Sequence, residues 1–303
     1  MNILVTGANS QLGKALFDKL KEMKKLEEGD NLYHFTSLNP GDGAGKLDIT
    51  DADAVNDYIL DNHINVVLNF AAFTDVNKGS KDPESLCMKV NAVGPKNLAE
   101  ACKKNGAVLI HISTDFVFNG QTFKPYGEDR YPVPVNDYGY SKLEGEKNII
   151  GSGCRYLIFR IQGLYSKYRS NFVTTMIENA RHEKNAYVFQ DRITSLTSAE
   201  SFVDALFFII EFNNEFQSLS KTGVYHYSDW GCASWYDIAK FIYRKIGTEV
   251  ANVFTMDSHD DPNLEAPRPF YSVLDKNKFR ETFPFVPMSD WADNLSKFIA
   301  EYD

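Results

Sequence analysis

The opening stretch constrains this chain more than any other. Asn2–Thr6 is a short run rich in β-branched and apolar residues, and Gly7-Ala8-Asn9-Ser10-Gln11-Leu12-Gly13 follows it directly. Apolar residues then recur at Leu12, Ala15, Leu16 and Leu20, which is helical spacing. The order is strand, tight turn, helix. Glycines at such a turn let the backbone approach a pyrophosphate, and the unpaired N–H groups at the helix start can hold it. Ser10 stands where a middle glycine is usual, which narrows the turn and adds a hydroxyl. A pair of glycines is weak on its own. At the head of an alternating β/α chain it predicts a dinucleotide site.

The alternation continues. Leu32–Thr36, Val66–Phe70, Val108–Ile112 and Arg155–Arg160 read as strands, the later ones continuously apolar as in a parallel sheet buried on both faces. A helical pattern runs from about Pro83 to Asn105, and another from Tyr138 through Lys147. The fold class expected is α/β, a Rossmann-type doubly wound parallel sheet with a smaller, discontinuous α+β substrate-binding lobe. After Arg160 the alternation breaks: helices over Asn171–Ala180 and Ser198–Phe212 flank a short strand, Ala186–Phe189, and a loop-rich run from His259 to Asp275 carries Pro262 and Arg268. The expected division is 1–160 and 184–215 for the dinucleotide-binding domain, and 161–183 and 216–303 for the substrate lobe.

In such sheets ligands gather beyond the carboxyl ends of the strands. The second strand ends without a carboxylate to bind a free ribose 2′-hydroxyl; Thr36, Ser37 and Asn39 offer neutral hydrogen bonds, which favours NADPH. No Arg or Lys clamps a phosphate there and Asp42 is close by, so NADH stays open as the alternative. Asp48-Ile49-Thr50-Asp51 opens a helix, with Thr50 as the expected cap and Asp48 near an adenine. Ala71-Ala72-Phe73-Thr74 and Ser113-Thr114-Asp115 stand at strand ends, small residues in the first case and hydroxyls in the second.

One strand-end loop later comes Tyr138-Gly139-Tyr140-Ser141-Lys142. Four residues apart on a helix, Tyr138 and Lys142 share a face, and a nearby ammonium favours phenolate, pulling the phenol toward working pH as a general acid/base. Tyr236 and Lys240 repeat the spacing. Context separates the two. The first pair follows a strand-end Ser-Thr and precedes a strand, whereas the second has no glycine turn or strand-end Ser/Thr before it, so Tyr236 is read as packing and Lys240 as solvent-facing.

A formal charge of −9 argues against a nucleic-acid or anionic-membrane surface while leaving room for a local basic pocket. Cys87, Cys102, Cys154 and Cys232 show no metal-ligand spacing with one another or with the dispersed histidines, so no metal is expected. No stretch approaches the ~20 apolar residues of a membrane helix, and the start of the chain carries no basic or long apolar leader. The expectation is a cytoplasmic protein with a small-molecule partner.

Together, Val5-Thr6-Gly7-Ala8-Asn9-Ser10-Gln11-Leu12-Gly13, Ala71-Ala72-Phe73-Thr74, Val90-Asn91-Ala92-Val93-Gly94-Pro95, His111-Ile112-Ser113-Thr114-Asp115-Phe116-Val117-Phe118, Tyr138 to Lys142 and Ser234-Trp235-Tyr236 resemble the dTDP-4-dehydrorhamnose reductases, within the extended short-chain dehydrogenase/reductases. The resemblance implies Thr114, Tyr138 and Lys142 as the catalytic set. It implies cofactor contacts from Gly7, Asn9, Ser10, Gln11, Leu12, Gly13, Ser37, Asp48, Ile49, Ala71, Ala72 and Thr74, besides Tyr138 and Lys142. Thr74, Asp115, Asn171 and Arg268 form the implied substrate set, with Arg268 toward the nucleotide end of a dTDP-linked keto-sugar. The implied reaction is reduction of its 4-keto group by NAD(P)H in dTDP-rhamnose synthesis, and the implied oligomer is a homodimer.

Departures fall on the substrate side. Gly163 stands where the family pattern carries Trp, and Arg192, Thr194 and Leu196 replace Gln, Gly and Pro. They keep open a related keto-sugar nucleotide, an epimerase or dehydratase of the same fold, and a non-enzymatic subunit like the regulatory subunit of methionine adenosyltransferase.

Overall fold

The computed structural model describes residues 1–41, 43–248, 250–258 and 265–302; Asp42, His259 and Pro262 lie outside them. In chain order its strands are β1 (Asn2–Thr6), β2 (Leu32–Ser37), β3 (Gly45–Lys46), β4 (Val66–Asn69), β5 (Val108–Thr114), β6 (Arg155–Ile161), β7 (Leu164–Tyr165), β8 (Ala186–Phe189), β9 (Ile193–Thr194), β10 (Thr197–Ser198), β11 (Gly223–Tyr227), β12 (Ala233–Ser234) and β13 (Val253–Met256). Seven of them form one sheet in the order β11-β6-β5-β4-β1-β2-β3, and every pairing in it is parallel. The doubly wound sheet expected from the alternation is present.

Both faces of that sheet are buried, which is why its strands read as continuous apolar runs. Ile3, Val5, Leu68, Ile110 and Phe159 pack on one face with the helices Gln11–Glu22 and Ala199–Glu211. Leu4, Val67, Leu109 and Ile158 pack on the other with Val55, Leu98 and Ile149 of the helices Ala52–Asp61, Gly94–Asn105 and Asp137–Ser152. Each fully buried Leu, Ile or Phe contributes about 1.5–3 kcal/mol, so this two-sided packing dominates the stability of the platform.

A third core, with Tyr165, Ile177, Val188, Ile242 and Phe298, joins the helices Phe172–Arg181, Trp235–Ile246 and Trp291–Glu301 into the smaller lobe. The pairs β8 with β13, β9 with β12 and β7 with β10 stitch it together.

Several expected boundaries change. β11, expected in the substrate lobe, pairs with β6 as the edge strand of the main sheet, and Phe279 and Phe283 pack beneath it. β8, expected in the dinucleotide domain, pairs with β13 in the smaller lobe. The reason is long-range pairing that local pattern does not carry. The helix expected from Pro83 starts at Leu86, capped by Ser85, and passes through a π turn at Lys89–Val93 before Gly94–Asn105. Asp51, not Thr50, caps the helix Ala52–Asp61, through an Ala54 N–H bond. Tyr236 is partly buried in the lobe, with the exposed Lys240 ammonium 5.2 Å from its ring centroid, as a packing pair and not a site.

Candidate active site

A cleft of about 640 Å³ opens where the carboxyl ends of β1, β4, β5 and β6 meet the smaller lobe. Thr114, Tyr138 and Lys142 all line it. β5 delivers Thr114 at its last residue, and the Thr114 hydroxyl donates to Asp115 Oδ1 at 3.1 Å and accepts from Phe116 N at 3.2 Å. Tyr138 lies in the first turn of the helix Asp137–Ser152, whose cap Asn136 accepts from Gly139 N at 2.8 Å. The Asn136 amide also donates to Pro267 O at 2.8 Å, tying that helix start to the loop carrying Arg268.

The charges differ from the sequence expectation. Burial pushes the Tyr138 phenol up, nearby Asp115 and Cys87 add to that, and the Thr114 hydroxyl opposes it. Lys142 does not pull it down. The lysine is 2% exposed, its Nζ donates to Ile112 O at 2.6 Å, and burial lowers it to about 8 against the pull of Glu146 and Cys87. Desolvation wins over the Coulomb attraction that the helical spacing suggests. Tyr138 is thus held protonated, the state a proton donor needs. Asp115, also in the cleft wall, is raised to about 7 by burial, with the Ser272 and Thr114 hydroxyls opposing.

Along the β1–β4 wall, Ser10, Gln11, Leu12, Ala71, Ala72 and Thr74 line the cleft. Gly7 has φ +68, and a Cβ there would meet Ala71 N at 2.5 Å; one on Gly13 would meet Gly7 O at 2.5 Å. Only glycine lets the turn and the β4 loop approach so closely. Behind the turn, Asn9 donates to Asn39 O at 2.7 Å and to Ser37 Oγ at 3.3 Å, binding the turn to the end of β2. Asp48 accepts from Thr50 N and Oγ1, and Ile49 lies under Gly94. Gly7, Asn9, Gly13, Ser37, Asp48 and Ile49 do not line this cleft.

Asn91 escaped the sequence reading as an individual residue. In the π turn it is 1% exposed, accepts from Phe73 N at 2.9 Å, and donates to Phe73 O at 2.9 Å and Ser141 Oγ at 3.0 Å. One side chain joins the β4 loop to the helix of Tyr138. Its signals in the sequence are its place in the Val90-Asn91-Ala92-Val93-Gly94-Pro95 motif and a polar amide among apolar neighbours.

The lobe side is assembled from distant segments. Arg268 lines the cleft, with its guanidinium donating to Asn77 Oδ1 at 2.8 Å and Ala266 O at 2.7 Å. Asn171 does not line it: the side chain caps the helix Phe172–Arg181 in a capping box and donates to Ser166 O at 2.7 Å. Arg192 does line it, 5% exposed, between the Phe189 and Phe270 rings at 5.3 Å each. Its Nη1 donates to Arg268 O at 2.6 Å, while its Nε has no acceptor among the described residues. Gly163, also in the wall, has φ +55, and a Cβ there would meet Ser195 O at 2.5 Å. Thr194 is buried in the same cleft wall, and Leu196 packs over Gly163.

The model of the family described as RmlD substrate binding domain matches residues 1–303. A dTDP-4-dehydrorhamnose reductase of Aggregatibacter actinomycetemcomitans is 33% identical over 303 residues, covering 98% of each chain. Among solved structures, a dTDP-4-dehydrorhamnose reductase of Clostridium acetobutylicum ATCC 824 is 34% identical, with a TM-score of 0.85 and 99% of each chain covered. That of Bacillus anthracis str. Ames, solved in complex with NADP, is 32% identical, with a TM-score of 0.85 and 99% of each chain covered.

Proposed function

This chain belongs to the RmlD substrate binding domain family, and from that premise we infer that it reduces the 4-keto group of dTDP-4-dehydrorhamnose with NADPH, giving dTDP-rhamnose. The observation that carries the reading is the gathering of Thr114, Tyr138 and Lys142 in one cleft with the glycine turn. The turn suits a dinucleotide, because Gly7 lets it pack against the Ala71 backbone and so sets the start of the helix Gln11–Glu22 at the cleft, where helix N-terminal N–H groups can hold a pyrophosphate. Gly7 to Gly13, with Ala71, Ala72 and Thr74, would hold the cofactor, and Ser37 would face its 2′ position without a repelling carboxylate. Bound NADPH supplies the hydride.

The rest is work for this chain's side chains. Tyr138 gives its phenolic proton to the substrate oxygen as negative charge develops, and Thr114 hydrogen-bonds the same oxygen. Lys142, at about 8, titrates close enough to working pH to exchange a proton during turnover. Asp115 offers a carboxyl to a sugar hydroxyl. Arg268 and Arg192 give the lobe wall two guanidinium groups within an acidic protein, which suits a nucleoside diphosphate. At Gly163 the aromatic wall of the family pattern is absent and Ser195 O and Leu196 fill the place of a side chain, so the sugar face of the pocket is shaped differently and the reading extends to keto-sugars beyond the rhamnose precursor.

We divide the chain by its cores: the main sheet takes 1–161, 199–227 and the helix Asn277–Thr282, and the lobe takes most of the remainder. No helix among the described residues is long and apolar enough to cross a membrane. The reading puts the enzyme in the cytoplasm, where NADPH is regenerated, as a homodimer on family resemblance alone; light scattering tests the latter. The activity is tested by NADPH consumption with dTDP-4-dehydrorhamnose. Absence of turnover with every keto-sugar nucleotide tried overturns it.

A further inference from the structure

From the cleft floor a chain of buried polar groups leads back from Lys142, and its other members have no part in the reaction as described. Thr6, Asn69, His111 and Lys142 are all at most 2% exposed. Asn69 Oδ1 accepts from the Ala71 backbone N–H at 3.2 Å and from Thr6 Oγ1 at 2.7 Å. A backbone N–H can only donate, so this fixes which end of the amide is oxygen. The amide nitrogen then faces His111 Nδ1 at 2.9 Å, and His111 Nε2 lies 3.5 Å from Lys142 Nζ.

An amide nitrogen only donates, so His111 Nδ1 must accept, and a neutral ring then carries its hydrogen on Nε2. That N–H points at Lys142. An ammonium has no lone pair to receive it; an amine has one. The opposite tautomer would suit an ammonium, but would set an Nδ1–H against the Asn69 amide. One orientation, fixed by the backbone of the β4 loop, therefore reaches the lysine through a single ring.

We propose that Asn69 and His111 are positioning residues for Lys142: the amide fixes the tautomer of the ring, and the ring favours the lysine that has given up its proton. When Tyr138 has passed its proton to the substrate oxygen, a Lys142 N–H bond breaks, its proton crosses through water to form a new Tyr138 O–H bond, and the new lone pair on Nζ accepts the His111 Nε2–H. A proton from bulk solvent then restores the ammonium. This last step rests on the reductase reading; the tautomer does not.

Other groups face Lys142 as well. On its own helix stand Tyr138 one turn before and Glu146 one turn after, and Cys87 faces it from the short helix Leu86–Met88. The Glu146 carboxylate is paired with Arg160 at 2.6 Å and opposes the loss of the lysine proton, so the effect of His111 and of burial is measured against it. His111 itself is held neutral, its own titration pushed well below the ordinary range by burial and by Lys142.

The test reads the ring directly. In ¹⁵N-histidine-labelled protein, with the signal identified by its loss in His111→Gln, the wild type should show the Nε2–H tautomer without titrating from about pH 6 to about pH 10. Asn69→Asp places an acceptor against Nδ1 and should switch the ring to Nδ1–H. The same variant should raise the high-pH limb of kcat/KM by about one unit, while NADPH affinity stays within about twofold. A wild-type ring carrying its hydrogen on Nδ1, or one titrating near its ordinary value, overturns the proposal whether or not Asn69→Asp folds. An Nε2–H ring in a protein that reduces no keto-sugar nucleotide would leave the pair standing and remove the reductase reading instead. An active enzyme whose limb is unmoved in a folded Asn69→Asp would remove the pair's role.

Discussion

The two walls of the cleft are held by different kinds of contact. The wall beneath the cofactor is built on the ends of parallel strands: Ala71 follows β4, Thr114 is the last residue of β5, and Gly7, just after β1, holds the turn against the Ala71 backbone. The opposite wall draws Gly163, Arg192 and Arg268 from short strand pairs and loops, and joins them by side chain to carbonyl bonds and ring contacts. A wall built on the sheet can change little without disturbing the fold. A wall built on loops can vary its chemistry while the platform stays intact.

The comparison breaks most visibly at the residue between the walls. Tyr138→Phe removes the proton donor and should lower kcat/KM by about a thousandfold, with NADPH binding kept, as read by stopped-flow reduction and by cofactor titration. An unchanged rate would remove Tyr138 from the mechanism. On the cofactor wall, Gly7→Val puts a branched Cβ at φ +68 against the Ala71 backbone, and should weaken NADPH binding by about a hundredfold or unfold the turn. Calorimetric titration with NADPH checks it.

The loop-built wall should respond selectively. Arg192→Gln restores the residue that the family pattern carries and takes away a charged donor, so the nucleotide-sugar KM should rise about tenfold while kcat and the NADPH KM hold. A loss in all three would mean that Arg192 only supports the Arg268 loop through its bond to the Arg268 carbonyl.

How much was legible in the sequence follows the same division. The glycine turn, the strand-end Thr114 and the Tyr138–Lys142 spacing are local, and local pattern found them. Gly163 and Arg192 stood out as departures, but their roles depend on Ser195, Phe189 and Phe270 approaching from elsewhere. β11 was missed because its partner β6 lies more than one lobe segment away in sequence, and its Tyr and His residues do not resemble an apolar parallel strand. The direction of the Tyr138 shift was misjudged because spacing reports a neighbour and not its burial.

Asp115 supplies the effect with the clearest sign, read in stability and not in rate. It lies on the seam between the walls, 4% exposed, with its carboxyl raised from 3.8 to about 7 by burial. The folded state therefore binds a proton that the unfolded chain has released between those values. The stability this contributes is fully present below the unfolded value and is lost as pH rises through the folded one. Against Asp115→Asn, which cannot ionise, the wild type should lose at most about 4 kcal/mol between about pH 4 and about pH 8, at about 1.4 kcal/mol per unit of displacement. Urea unfolding of both proteins across that range reads the difference. A flat difference would mean that water reaches the carboxyl, and that the seam is open where the walls meet.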